Sequence, residues 1–169
     1  MKRAIFVFLS LAAMFLTACG AQSAIAAPIG AQRPIAAPDG SIPFAVGVSV
    51  NIHASDSPAA AKIAREYSEL VSIYSSDDNP NEVDYIANYG EGFFTEKALI
   101  VLFITATSGS YSFNVSYVTV NGQTLTAEIA RNAPGNAVTC DMAYWRILLE
   151  VNKSDIAGVE NCQMTIIKG

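Results

Sequence analysis

The sequence predicts an α+β domain: an antiparallel β-sheet of about six strands with one amphipathic helix packed on it. Three observations lead there. Strict apolar alternation marks Phe44–His53, and helical periodicity is confined to the stretch that follows, 58–73. Beyond it the chain breaks into short apolar runs, mostly joined by loops of hairpin length. At 169 residues one compact domain is expected, and a 51% hydrophobic composition is far too apolar for a disordered chain. Ten basic residues against fifteen acidic ones argue against nucleic acid as a partner, because phosphate binding needs a basic face.

Residues 1–18 read as a signal segment rather than as part of the fold. Lys2 and Arg3 precede an apolar run, Ala4–Leu16, broken only by Ser10. Its 13 residues fall short of the about 20 that span ~30 Å of hydrocarbon. The run ends in Leu16-Thr17-Ala18-Cys19. This resembles the lipobox of bacterial lipoproteins, in which two small residues admit the peptidase and the cysteine thiol takes the lipid. The resemblance implies lipid attachment at Cys19 and a place in the bacterial cell envelope. That place is the outer face of the cytoplasmic membrane, or the outer membrane in a Gram-negative host. Without Lys2 and Arg3, eight basic residues face fifteen acidic ones, a net charge of −7.

Residues 19–43 read as an Ala/Pro-rich tether ahead of a single domain over 44–169. The run Ala24-Ile25-Ala26-Ala27-Pro28 has a counterpart ten residues on in Pro34-Ile35-Ala36-Ala37-Pro38, and Pro28, Pro34, Pro38 and Pro43 break any helix. At ~3.1 Å per residue, about 22 residues of extended chain reach ~70 Å.

Within the domain, Val46, Val48, Val50 and Ile52 share one face of the first strand, opposite Gly47, Ser49, Asn51 and His53. Asp56 and Ser57 offer N-caps and Pro58 a first helical position. Ala60, Ile63, Ala64, Tyr67, Leu70, Val71 and Tyr74 then recur at helical spacing, with Lys62–Glu66 and Arg65–Glu69 as i,i+4 pairs. These features predict a helix over 58–73. A polar loop (75–81) and a short helical turn (82–89) precede Gly90, Gly92 and Phe93-Phe94. Ala98–Thr105 is apolar on both faces, the mark of a central strand covered on both sides. Thr107–Ser110 is a turn that buries little. Asn121-Gly122 is a hairpin signal between Tyr111–Val120 and Gln123–Arg131. A two-residue turn pairing Val120 with Gln123 puts the apolar residues of the two strands on opposite faces, so a bulge or a longer loop is expected there. Ala143–Asn152 carries Trp145, Ile147, Leu149 and Val151 on one face, and Gln163–Lys168 is a last strand.

Little in the chain promises catalysis, and no enzyme is expected. With Cys19 lipidated, Cys140 and Cys162 remain. If the last two strands form a hairpin, about 40 Å of strand separates these thiols, against a ~7 Å limit between Cα atoms, and only another connection allows a disulfide. Asp77, Asn79 and Asn81 alternate as in a calcium loop. Glu82 stands where the turn glycine belongs and Asn88 where the closing glutamate belongs, so a solvated loop is the default. His53, the sole histidine, reads as a strand-end residue. No metal site, no cofactor and no nucleic-acid partner are implied.

One series of motifs stands out. Phe93-Phe94 and Ala98-Leu99-Ile100-Val101 are followed by Ser108-Gly109-Ser110-Tyr111 and a Val/Tyr-rich hairpin. The series continues through Pro134 to Thr139-Cys140-Asp141-Met142-Ala143, Trp145 and an apolar strand. It resembles the C-terminal domain of PrcB-type protease-complex-associated proteins and related uncharacterised Gram-positive lipoproteins. The likeness covers about 44–153 and is clearest over 93–152. It implies a lipid-anchored extracytoplasmic accessory module that binds another envelope or extracellular protein, associated with a protease or inhibiting one. Many relatives carry a Gly-Gly-Tyr-like turn where this chain has Ser108, Gly109, Ser110 and Tyr111, which become the expected partner-binding residues. The alternative is an envelope lipoprotein that binds a small molecule in an aromatic-lined pocket.

Overall fold

The computed structural model describes residues 37–52, 58–75, 86–135 and 139–169. The signal segment, Cys19, most of the tether, His53, the Asp56 and Ser57 caps and the 77–84 loop lie outside the described residues. The fold is α+β, as predicted, but its strands form two sheets rather than one.

The strands are β1 (Ala45–Ile52), β2 (Ala60–Ala64), β3 (Lys97–Ala106), β4 (Ser112–Asn121), β5 (Thr124–Asn132), β6 (Ala143–Asn152) and β7 (Asn161–Lys168); the helix α1 spans Tyr67–Ser75. A four-stranded sheet has the order β1-β6-β3-β2 and a three-stranded sheet the order β4-β5-β7. All pairings are antiparallel except β5 with β7, which is parallel.

β3 is central, as its two-faced apolar run predicts. Ala98, Ile100, Leu102 and Ile104 pack between the sheets with Ile147 and Leu149 of β6 and Val118, Leu125 and Ile129 of β4 and β5. Leu99, Val101 and Phe103 face the other way, onto Leu70 and Tyr74 of α1 and onto Ile86, Tyr89 and Phe94. The outcome is three layers: helix with loop, four-stranded sheet, three-stranded sheet. Trp145 is half-buried against the inter-sheet core, edge-on to Phe113 at 5.6 Å between centroids.

Three sequence expectations are corrected. Residues 60–64 are strand, not helix. They close the edge of the larger sheet, with Ala60 opposite Phe103 and Ala64 opposite Leu99. The helix starts at Tyr67, after the Glu69 carboxylate accepts the Arg65 N–H. Leu70 and Tyr74 are buried on it, while Tyr67 and Val71 are exposed. Second, a bulge at Gly47 turns Val46 away from its neighbours. Val46 pairs with Leu149 and points to one face, whereas Val48 pairs with Leu148 and points to the other. Third, β7 does not hairpin with β6. After the turn at Lys153–Ile156 it crosses to the smaller sheet, with Asn161 alongside Thr124 and Lys168 alongside Arg131.

The β4–β5 hairpin resolves its register conflict with a mid-strand bulge. The turn is Gly122-Gln123, with Gly122 at φ +57°, and Asn121 pairs with Thr124. The register shifts between Val115 and Tyr117, far from the turn. The shift leaves Phe113 and Val115 on the core side together with Val118 and Val120, and sends Tyr117 to the opposite face with Glu128.

These registers place the connections at two poles. At one, the chain arrives: the Ile42 N–H donates to Val118 O, and the Val120 N–H donates to Gly40 O. The β4–β5 and β6–β7 turns share that pole, where the Glu160 and Asn161 N–H groups both donate to Gln123 O. The opposite pole carries the β3–β4 turn and the β5–β6 loop.

Candidate functional site

The expected binding turn, Ser108–Tyr111, is locked to the β5–β6 loop. The Thr139 hydroxyl sits 2.9 Å from both Ser108 Oγ and Ser110 Oγ. The Ser110 N–H donates to Ser108 Oγ at 3.1 Å and the Thr139 N–H to Ser110 Oγ at 3.3 Å. The Gly109 N–H donates to Asp141 Oδ1, also at 3.3 Å. The Thr139 side chain and the Gly109 N–H hold the Asp141 carboxyl below its ordinary pKa. Gly109 is required here by close approach, because a Cβ would lie 2.8 Å from Asp141 Oδ2. Only 1% of Ser108 is exposed, so it braces the turn and offers no surface, against the expectation that this turn buries little. Gly109, Ser110 and Tyr111 are half-buried, and the Arg131 guanidinium lies 4.9 Å from the Tyr111 ring centroid. Exposed Cys140, Asp141 and Met142 continue the same surface. Hydroxyls at 108, 110 and 139 were legible in the sequence, but their convergence depends on the β5–β6 loop folding back.

A second site was missed. At the pole where the chain arrives, an open cleft of about 680 Å³ is lined by Gly47, Tyr89, Phe93, Lys97 and Glu150 among others. Each is positioned by local structure. The bulge at Gly47 brings bare backbone against the Tyr89 hydroxyl, and a Cβ there would lie 2.0 Å from that oxygen. Gly90 and Gly92 open a 3-10 turn, Phe93–Thr95, which buries Phe94 and leaves Phe93 half-exposed. Phe93 stands edge-on to Tyr89 at 4.9 Å between centroids. Glu150 receives Lys97 Nζ at 2.9 Å and the Tyr89 hydroxyl at 3.5 Å, one partner on each oxygen. The same ammonium lies 5.6 Å from the Phe93 centroid. Burial, aided by the Glu150 charge and hydrogen bond, pushes the Tyr89 phenol up to about 12, so it remains a donor at neutral pH. One sequence signal pointed here: a glycine inside an alternating strand marks a bulge or a close approach.

Hydrogen bonds to Thr139 and Asp141 thus hold the turn in place, and the cleft has room for a small group. Among the described residues, no three His, Cys, Asp or Glu side chains gather to hold a metal, and no helix is long and apolar enough to cross a membrane. No protein-family model matches the chain, and no curated protein or solved structure matches it significantly.

Both described cysteines are free thiols. Cys162 pairs with Leu125 near one pole and Cys140 precedes β6 at the other, so roughly seven residues of strand, ~23 Å, keep them apart. Burial pushes the Cys162 thiol up to about 12, while nearby Arg65 pulls the other way. Iodoacetamide at pH 8 is therefore expected to alkylate Cys140 rapidly and Cys162 only on unfolding, because the thiolate is the nucleophile. Peptide mapping of the native protein checks this, and equal labelling at both positions refutes it.

Proposed function

We propose that the protein is a lipid-anchored, extracytoplasmic protein-binding module, without catalytic activity of its own, that presents the Ser110–Tyr111 and Asp141–Met142 surface to a partner in the envelope or outside it. The observation carrying this reading is the hydrogen-bonded lock between that turn and Thr139–Asp141. It fixes the turn before binding, so little ordering entropy is lost on association. The surface also lies at the pole opposite the one where Gly40 and Ile42 pair with β4, so those pairings leave it uncovered. Tyr111 supplies contact area at low entropic cost. The motif resemblance over 93–152 suggests a protease or its complex as the partner class.

The test is a photo-crosslinking amino acid placed in the full-length chain at Tyr111, at Met142, and at Ala157 on the opposite pole. All three sites are solvent-accessible. The first two are expected to capture one discrete envelope protein in intact cells, and Ala157 is not. No adduct, or equal adducts at all three, refutes the reading.

A second reading, a small-molecule-binding envelope lipoprotein, is favoured by one observation: the cleft at Tyr89 and Phe93.

A further inference from the structure

We infer that the cleft formed by Gly47, Tyr89, Phe93 and Glu150 takes an alkylammonium group, which enters by displacing the side chain of Lys97. The inference rests on the small-molecule reading and names its ligand class.

The cleft already holds a cation of this class. The Lys97 side chain is a butylammonium, and its nitrogen meets a carboxylate oxygen at 2.9 Å and an aromatic ring at 5.6 Å. That pair of contacts is how proteins recognise ammonium ligands. The Glu150 carboxylate is also the less exposed member of the pair, at 22% against 46% for Lys97. The anion is therefore fixed in the wall, with its second oxygen engaged by Tyr89, whereas the cation is the movable part. A half-exposed ion pair adds little net stability, so an incoming ammonium meets little resistance. Glu96 lines the same cleft and adds a second negative charge. The bare backbone at Gly47 forms the wall beside Tyr89 and Glu150, and bulges of this kind recur beside binding sites.

An anionic ligand fits poorly, because it would have to separate Lys97 from Glu150 and leave that carboxylate facing it. A neutral sugar must compete with the lysine for the Phe93 ring and gains no charge contact in return.

The test titrates the isotopically labelled full-length protein with butylammonium chloride, methyl glucoside and sodium acetate, following the Gly47, Asn88 and Gly92 amides by NMR at constant ionic strength. Butylammonium is expected to shift these amides and the other two are not. Lys97→Met, which removes the internal competitor, is expected to bind butylammonium up to about fivefold more tightly. Glu150→Gln, nearly isosteric, is expected to weaken it by about fivefold or more, and unchanged melting temperatures serve as the folding control. Weaker binding in Lys97→Met refutes the inference. Shifts with methyl glucoside or acetate alone also refute it, but leave the small-molecule reading standing. Silence from all three probes refutes both.

Discussion

Phe103→Ala is expected to destabilise the folded domain by about 3–5 kcal/mol, the range for deleting a buried aromatic ring. Phe103 lies mid-strand in β3, 2% exposed, on the side facing the helix layer. Its ring packs against Tyr74 at 6.2 Å between centroids and carries the Arg146 guanidinium at 4.2 Å. Arg146 is itself only 1% exposed. Removing the ring therefore opens a cavity and strips a buried cation of its aromatic face. Small domains have ~5–15 kcal/mol in total, so about a fifth or more of the stability is at stake. Phe103→Leu separates the two effects: it keeps most of the volume and loses the ring's negative face, which is worth about 0.5–2 kcal/mol for a cation. Urea unfolding measures both variants. The Ala variant should lower the midpoint at unchanged slope, and the Leu variant should fall between it and the wild type. A loss under about 1 kcal/mol for Phe103→Ala would mean that the helix layer does not hold β3 as described.

The elements that the sequence announced are those whose signals are local. The two-faced apolar run Ala98–Thr105 could only be a covered central strand, and β3 is one. Trp145, Ile147, Leu149 and Val151 share a face because β6 is regular throughout. The misread elements are set by partners remote in sequence. Ala60–Ala64 has no intrinsic strand preference, and the spacing of Ala60, Ile63 and Ala64 suits a helix. It is a strand because the edge of β3 has backbone groups to pair, and Ala61 and Ile63 pack on one face while Ala60 and Ala64 pack on the other. β7 looked like the second arm of a hairpin because its loop is short enough. The loop instead buries Ile156 and Val159 in the inter-sheet core, which directs the chain across to β5.

The same distinction separates the two sites. Ser108–Tyr111 was visible because a glycine between polar residues after a buried strand is a turn in any context. What the turn bonds to was not visible, since Thr139 and Asp141 lie about thirty residues away. The cleft draws on three separate stretches of chain: Gly47, Asn88 to Lys97, and Glu150. No spacing rule joins them, and only the register of β1 and β3 on β6 brings Ala45 opposite Glu150 and Lys97 opposite Asn152.

Cys19→Ala is expected to abolish membrane anchoring. In the lipoprotein reading the thiol carries the acyl chains, and each buried methylene contributes ~0.8 kcal/mol. Two or more chains then hold a protein stably where one chain holds it only reversibly. No apolar run after Cys19 approaches the about 20 residues of a spanning helix. The uncleaved Ala4–Leu16 run of the variant is too short to span and should release on an alkaline wash, whereas the acylated wild type stays with the pellet. Mass spectrometry of the wild type supplies a readout independent of sedimentation. Its mature N-terminus should be Cys19, bearing a mass increment of whole acyl chains, and the variant should carry none. A wild-type chain that begins elsewhere, or begins at Cys19 without lipid, would refute the anchor. The place of the Ser110–Met142 surface in the envelope would then lose its basis, while the lock that makes that surface rigid would stand, because it depends on the hydrogen bonds that join Ser108, Gly109 and Ser110 to Thr139 and Asp141.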